Sequence, residues 1–228
     1  ADICGRVVHQ KGTGRIYRVT HKNCESVKAL NLAKLNDSKL VELLKHENDW
    51  YVDHARRLLQ ERAQMAIKGQ DDRRDRTVSD TEIKTPSLLA KIYNNPKANP
   101  VHRLRAMLTL HAMFRIDQET LLKLMADKDE TIRGWAIQCA LEDKKASNLI
   151  LDQLVKMAKG DDSQFVRLYL ASALQRLPLE QRWPLAEALI AHEPDKDDHN
   201  LPLLYWYGIE PLVSADKARA LKLAAKSK

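Results

Sequence analysis

Several side chains in this sequence are capable of chemistry, so their spacing has to be weighed first. His46-Glu47 and His192-Glu193 each set an imidazole beside a carboxylate, a combination that ligates metals when several such pairs face one another on helices. There are two such dipeptides, each at a predicted helix end before Asn48-Asp49 or Pro194-Asp195. Capping and turn roles are the expectation for both. The run Asp195-Lys-Asp-Asp-His-Asn200 is rich in hard oxygen donors but lacks the alternating spacing of a calcium loop, so it reads as a solvated turn. Cys4, Cys24 and Cys139 include no pair at metal-ligand spacing and no haem-attachment motif. Cys139 lies on an apolar helical stripe and reads as a small core residue, whereas Cys4 and Cys24 are open to pairing or, preferably, to remaining free thiols. Trp50, Trp135, Trp183 and Trp206 complete the set. No nucleophile triad, glycine-rich phosphate loop or catalytic carboxylate pair is found, so the sequence predicts no catalytic residue, no metal and no cofactor for this chain.

One polar spacing does repeat. Asp127 precedes Arg133 by six residues and Asp161 precedes Arg167 by six, and each arginine follows an apolar residue, Ile132 or Val166, at the same helical phase. An acid in the turn and a base early in the next helix suit a ladder of ion pairs between stacked units. Coupled to that phase, the spacing resembles the HEAT-repeat pattern. Asp127, Arg133, Asp161 and Arg167 are therefore predicted as structural ladder residues rather than as reactants.

The elements that must position these residues are amphipathic helices. Tyr51, Ala55, Leu58 and Leu59 recur at helical spacing, as do Ala106, Leu110, Met113 and Phe114. Ile132, Trp135, Ala136, Cys139 and Ala140 repeat the pattern, followed by Val166, Leu170, Ala173, Leu174 and Leu177. Shorter apolar helices precede them at 40–44, 88–92, 121–125 and 150–158. Anchoring the second helices at Tyr51, His102, Ile132, Val166 and Leu201 gives intervals of 51, 30, 34 and 35 residues, the range of a helical solenoid. The predicted fold is all-α, a solenoid of about five helix pairs over 31–228, with a charged loop insertion at about 64–80 explaining the long interval. Thr85-Pro86, Asn99-Pro100, Trp183-Pro184 and Leu201-Pro202 place proline as helix starts, and Asp127 with Glu130 and Ser79 with Glu82 have capping-box spacing. Residues 1–30 differ: two β-branched runs surround Lys11-Gly-Thr-Gly14, which predicts a short β-hairpin remnant.

The formal net charge of +7 invites a nucleic acid, but its distribution withdraws the invitation. Residues 1–30 carry +4, residues 215–228 carry +4, and the 184 residues between carry −1. A protein partner, and no nucleic acid, is expected. No apolar run reaches the ~18 to 20 residues of a membrane span. The chain starts with Ala1 and reads as a piece of something longer.

The residues now assembled resemble one family. Thr13-Gly-Arg-Ile-Tyr-Arg-Val19 is similar to the closing strand of a β-propeller, and Leu32 to Leu44, His46 to Tyr51 and Ala55 to Leu59 are similar to the repeat that follows it. With Ile132-Arg-Gly-Trp-Ala136, Val166 to Leu174 and especially Asn200-Leu-Pro-Leu-Leu-Tyr-Trp-Tyr-Gly-Ile-Glu-Pro-Leu-Val213, they resemble the HEAT block of the planctomycete-type membrane-bound dehydrogenase proteins. That family joins a propeller similar to sugar dehydrogenases, HEAT repeats and often a c-type cytochrome domain. The resemblance implies a non-catalytic spacer and docking module in the periplasm or cell envelope, with the adjacent propeller and cytochrome c domains or a separate subunit as partners. The parent's oxidation site and haem motif have no counterpart here. Two HEAT-like enzyme families offer other readings. Deoxyhypusine hydroxylases need four facing His-Glu pairs, which this chain lacks. The alternative function is a DNA-binding enzyme of the alkylpurine DNA glycosylase type, for which the tryptophans supply aromatics but the central charge is wrong.

Overall fold

The apolar spacing of the sequence becomes helices throughout. A computed structural model describes residues 30–71, 80–114 and 116–226, and these are all-α, with no strand among them. The chain divides into two units, Ala1–Asn31 and Leu32–Lys228. The second holds α1 (Asp37–Leu43), α2 (Asp49–Asp71), α3 (Asp80–Tyr93), α4 (Pro100–Phe114), α5 (Gln118–Leu124) and α6 (Glu130–Ala140). These are followed by α7 (Asn148–Gly160), α8 (Gln164–Arg176), α9 (Leu179–Leu189), α10 (Leu201–Ala215) and α11 (Lys217–Ala224). Short 3-10 turns lie at Leu32–Lys34 and Glu193–Asp197. The β-hairpin predicted for residues 1–30 lies outside the described residues, apart from Leu30 itself.

Several helices start where a side chain satisfies an unbonded amide. Asn36, Asp117, Ser147, Ser163 and Asp216 accept the amides of Lys39, Thr120, Ile150, Val166 and Arg219. The predicted box of Asp127 and Glu130 is replaced: Asp129 is the cap, accepting from the Thr131 and Ile132 amides, because the Asp127 carboxylate is engaged elsewhere. Ser79, of the other predicted box, lies outside the described residues.

Even-numbered helices form one row, α2, α4, α6, α8 and α10, each packed on the next. In the odd row α1 packs on α3, α5 on α7 and α7 on α9, and every odd helix from α1 to α9 packs against the even helix that follows it. The core lies between the rows. Leu40, Leu59, Leu89, Met107, Ile132, Leu154, Leu170 and Leu189 are all fully buried there, so no single pair closes its own core.

Two expectations are corrected. The loop predicted at about 64–80 is helical through Asp71 in α2, and α3 begins at Asp80. Gln64, Met65, Ala66 and Lys68 are good helix formers continuing from the fully buried Ala63, and charge alone does not end a helix. Pro86 and Pro184 lie inside α3 and α9 rather than at their starts, whereas Pro100 and Pro202 do open helices. A proline inside a helix costs about 3 kcal/mol. Burial of the adjacent Thr85 and Leu89 in α3, and of Trp183 and Leu185 in α9, offsets that cost.

Candidate functional site

The four predicted ladder residues are brought together, but not in the pairs their spacing suggests. Arg133 donates through Nε and Nη2 to the two carboxylate oxygens of Asp161, in the next turn along, at 2.7 and 2.9 Å. Its remaining nitrogen, Nη1, donates to the backbone carbonyl of Asp127 at 2.8 Å. Arg167 repeats the arrangement one unit later, reaching Asp195 with Nε and Nη2 at 2.8 and 2.7 Å and the Asp161 carbonyl with Nη1 at 2.8 Å. The Asp127 carboxylate is held from the other side, by both terminal nitrogens of Arg103, whose Nε donates to the Tyr93 carbonyl at 2.9 Å. Each arginine therefore ties the backbone at its own unit's turn to the carboxylate of the following turn.

Local structure explains the aim. Arg103, Arg133 and Arg167 are each the fourth residue of α4, α6 and α8, so the three guanidinium groups leave the row at one phase. Asp127 and Asp161 are turned inward by accepting the amides of Asp129 and Ser163 two residues on. Sequence reading missed Arg103 and Asp195, because Lys97 stands six residues before the former and Leu201 six after the latter. The signal that finds Arg103 is its place as the fourth residue of a helix that opens on a proline.

The ladder's electrostatics follow from burial. Burial pushes the Asp127 carboxyl upward, but the hydrogen bonds of Arg103 and the Asp129 amide, with the charges of Arg103 and Arg133, outweigh it and hold the group below its ordinary value. Arg133 and Arg167 are raised, each first by its hydrogen bonds to the partner carboxylate. Asp195 corrects the expectation of a solvated turn: it is buried, and Tyr205 Oη donates to it at 2.6 Å. Burial, then the Asp195 carboxylate, drives the Tyr205 phenol up. Asp198 caps the entry to α10, accepting the amides of Asn200 and Leu201.

The remaining candidates are dispersed. His46 accepts the Asn48 amide at 2.9 Å through Nδ1, and His192 Nε2 donates to the Ala158 carbonyl. Among the described residues no group of three or more His, Cys, Asp or Glu side chains converges as a metal site. Cys139 is a buried free thiol, pushed up to about 12 by burial; Cys4 and Cys24 lie outside the described residues. Trp50 is exposed and stacks on His54 at 3.9 Å, Trp135 packs near Tyr169, and Trp183 is buried under the Arg219 guanidinium at 4.5 Å.

Trp206 is different, being 55% exposed on α10. It borders a mainly apolar cavity of about 420 Å³ lined by Ile190, Ile209, Val213, Ala220 and Leu223, with His192 and Lys196 among its polar groups. No described helix is long and apolar enough to cross a membrane. Comparison with family models, curated proteins and solved structures returns no match.

Proposed function

We propose that this chain is a HEAT-type helical-repeat scaffold that docks or spaces protein domains without doing chemistry itself. The observation that carries the reading is the ladder from Arg103 through Asp127, Arg133, Asp161 and Arg167 to Asp195, whose members are committed to one another and to turn carbonyls. Ion pairs that are buried or partly buried, and satisfied, fix the register of stacked units, and a stack whose neighbours are fixed in register presents a stiff surface. Charge that is spent on the stack is not free to activate a water or a substrate.

The domains spaced are, in this reading, those of a periplasmic dehydrogenase and cytochrome protein, supported by the resemblance of Thr13–Val19 and Asn200–Val213 to that family. The test is to assay the purified 228-residue chain for haem absorbance, bound metal and dye-linked oxidation of sugars or alcohols. The expected result is none of the three. Turnover by this chain alone overturns the proposal.

A further inference from the structure

Along the even row, successive helices share a register. Ile132, Val166 and Leu201 are equivalent by burial, as are Ala136, Leu170 and Tyr205, so Gly134 corresponds to Leu168 and Leu203, and Ile137 to Ala171 and Trp206. In α6 this face is covered by α8: a Cβ on Gly134 would meet the Tyr169 ring at 2.9 Å and the Phe165 ring at 3.0 Å. Ile137 and Ala171 are at most 1% exposed. In α10 the equivalent positions Leu203 and Trp206 are 54% and 55% exposed, and Tyr207 beside them is 55% exposed. The face that packs the row together is thus present on α10, with larger apolar side chains, and no described element lies over it.

The surroundings select what fits. The cavity beside Trp206 is lined by apolar groups of α10 and α11, with Ile190, His192 and Lys196 completing it, so it can receive a side chain projected from a neighbouring helix. Beside it α11 carries Lys217 and Lys222 and no acid, with Arg219 over the Trp183 ring and Lys226 just beyond the helix end. The exposed Glu210 of α10, four residues after Trp206, does not line the cavity, so acidic residues fit the α11 edge of the face and not the opposite one. Glu187 pairs with Lys226, and Asp216 accepts the Arg219 amide as the cap of α11.

We propose that the Leu203, Trp206 and Tyr207 face, with the α11 groove, docks an amphipathic helix of a protein partner, laid along α10 as α10 lies along α8. The partner's helix carries an apolar stripe toward Trp206 and acidic residues along the edge that meets α11. This rests on the scaffold reading and names the docking surface and the partner's chemistry.

The probe is an 18-residue capped synthetic peptide with leucines at i, i+3, i+4 and i+7 and glutamates along one edge of the stripe. Its binding to the full chain is followed by anisotropy, beside a lysine-flanked version and a scrambled one. The glutamate peptide is expected to bind on the order of tenfold more tightly than the lysine peptide. Trp206→Gln should weaken it on the order of tenfold, since a buried aromatic anchor dominates such contacts. Lys222→Glu, on the exposed side of α11, should reduce the preference for glutamate flanks, and unchanged helical circular dichroism shows that each variant is folded. Equal binding of all three peptides, or no effect of Trp206→Gln, overturns the proposal. So does a concentration-dependent dimer in sedimentation that Leu203→Glu abolishes, because the face then belongs to a second copy. Failure here leaves the scaffold reading to its own assay of turnover, so the two fail separately.

Discussion

Arg167 donates to both carboxylate oxygens of Asp195, 28 residues further along the chain, and both side chains are at least 95% buried. The Tyr205 hydroxyl completes the carboxylate, so the charge of Asp195 is fully used at the last turn of the ladder. Removing one member leaves the other buried and unpaired. Arg167→Met should destabilise the chain by about 3–5 kcal/mol in urea unfolding, and Arg167→Met with Asp195→Leu by much less than the two single changes added. Additive losses would show that the pair acts independently of its partner.

Tyr205→Phe removes one hydrogen bond from a carboxylate that keeps its arginine. The expected loss is about 1.5–3 kcal/mol, smaller than that for Arg167→Met. Equal losses from the two variants would mean that the phenol holds Asp195 as strongly as the guanidinium does.

Asp127 sets a pH dependence whose sign follows from its lowered value. The unfolded carboxyl takes up its proton at a higher pH than the folded one, so the contribution of Asp127 is complete above its ordinary value of about 3.9. It declines as the pH falls below that value and through the folded value. Urea midpoints between pH 6 and pH 2.5 should therefore fall less steeply for Asp127→Asn than for the parent chain. Parallel slopes would contradict the assignment.

Two glycines should respond with opposite signs to the same substitution. A Cβ on Gly208 would lie 2.6 Å from Leu174 Cβ and 2.7 Å from its Cδ1, so Gly208→Ala must separate α10 from α8. Overpacking of this kind costs about 1–3 kcal/mol. Gly160, the last residue of α7, has nothing within 4 Å of an added Cβ, and Gly160→Ala should stabilise by about 0.4–1 kcal/mol by narrowing the unfolded ensemble. Thermal midpoints of the two variants should move in opposite directions.

Cys139 should be inert in the folded chain. With its thiol pushed up to about 12, the thiolate is scarce at pH 8, and the side chain is 9% exposed. In a Cys4→Ser, Cys24→Ser background, a disulfide reagent should label it only after denaturation. Labelling at the rate of a free thiol in the native protein would place Cys139 outside the core.

Much of the helical architecture was legible before any coordinates. Spacings such as Val166, Leu170, Ala173 and Leu174 repeat every three or four residues, and burial on one helix face follows from that period alone. The predicted anchors at Tyr51, His102, Ile132, Val166 and Leu201 all lie within the first three residues of an even helix. Pro184 lies within α9 rather than at its start because a proline's tolerance depends on what its neighbours bury, and Trp183 and Leu185 bury fully or nearly so.

By itself, then, the sequence determined most of the helical segments, which side of each is apolar, and that Asp127, Arg133, Asp161 and Arg167 share one phase. Local period and spacing carry all of that. Only the tertiary structure decided that Arg133 reaches past its own turn to Asp161, that Arg103 and Asp195 end the ladder, and that Asp195 is buried rather than solvated. The reason is physical: an arginine's partner is whichever carboxylate the stacking of helices brings within hydrogen-bond reach, and residues 24 to 28 apart are set by inter-helix packing rather than by the period of any one helix. The exposed face of Trp206 belongs to the same class, because its sequence spacing matches buried positions in α6 and α8 and only the arrangement of neighbours distinguishes it.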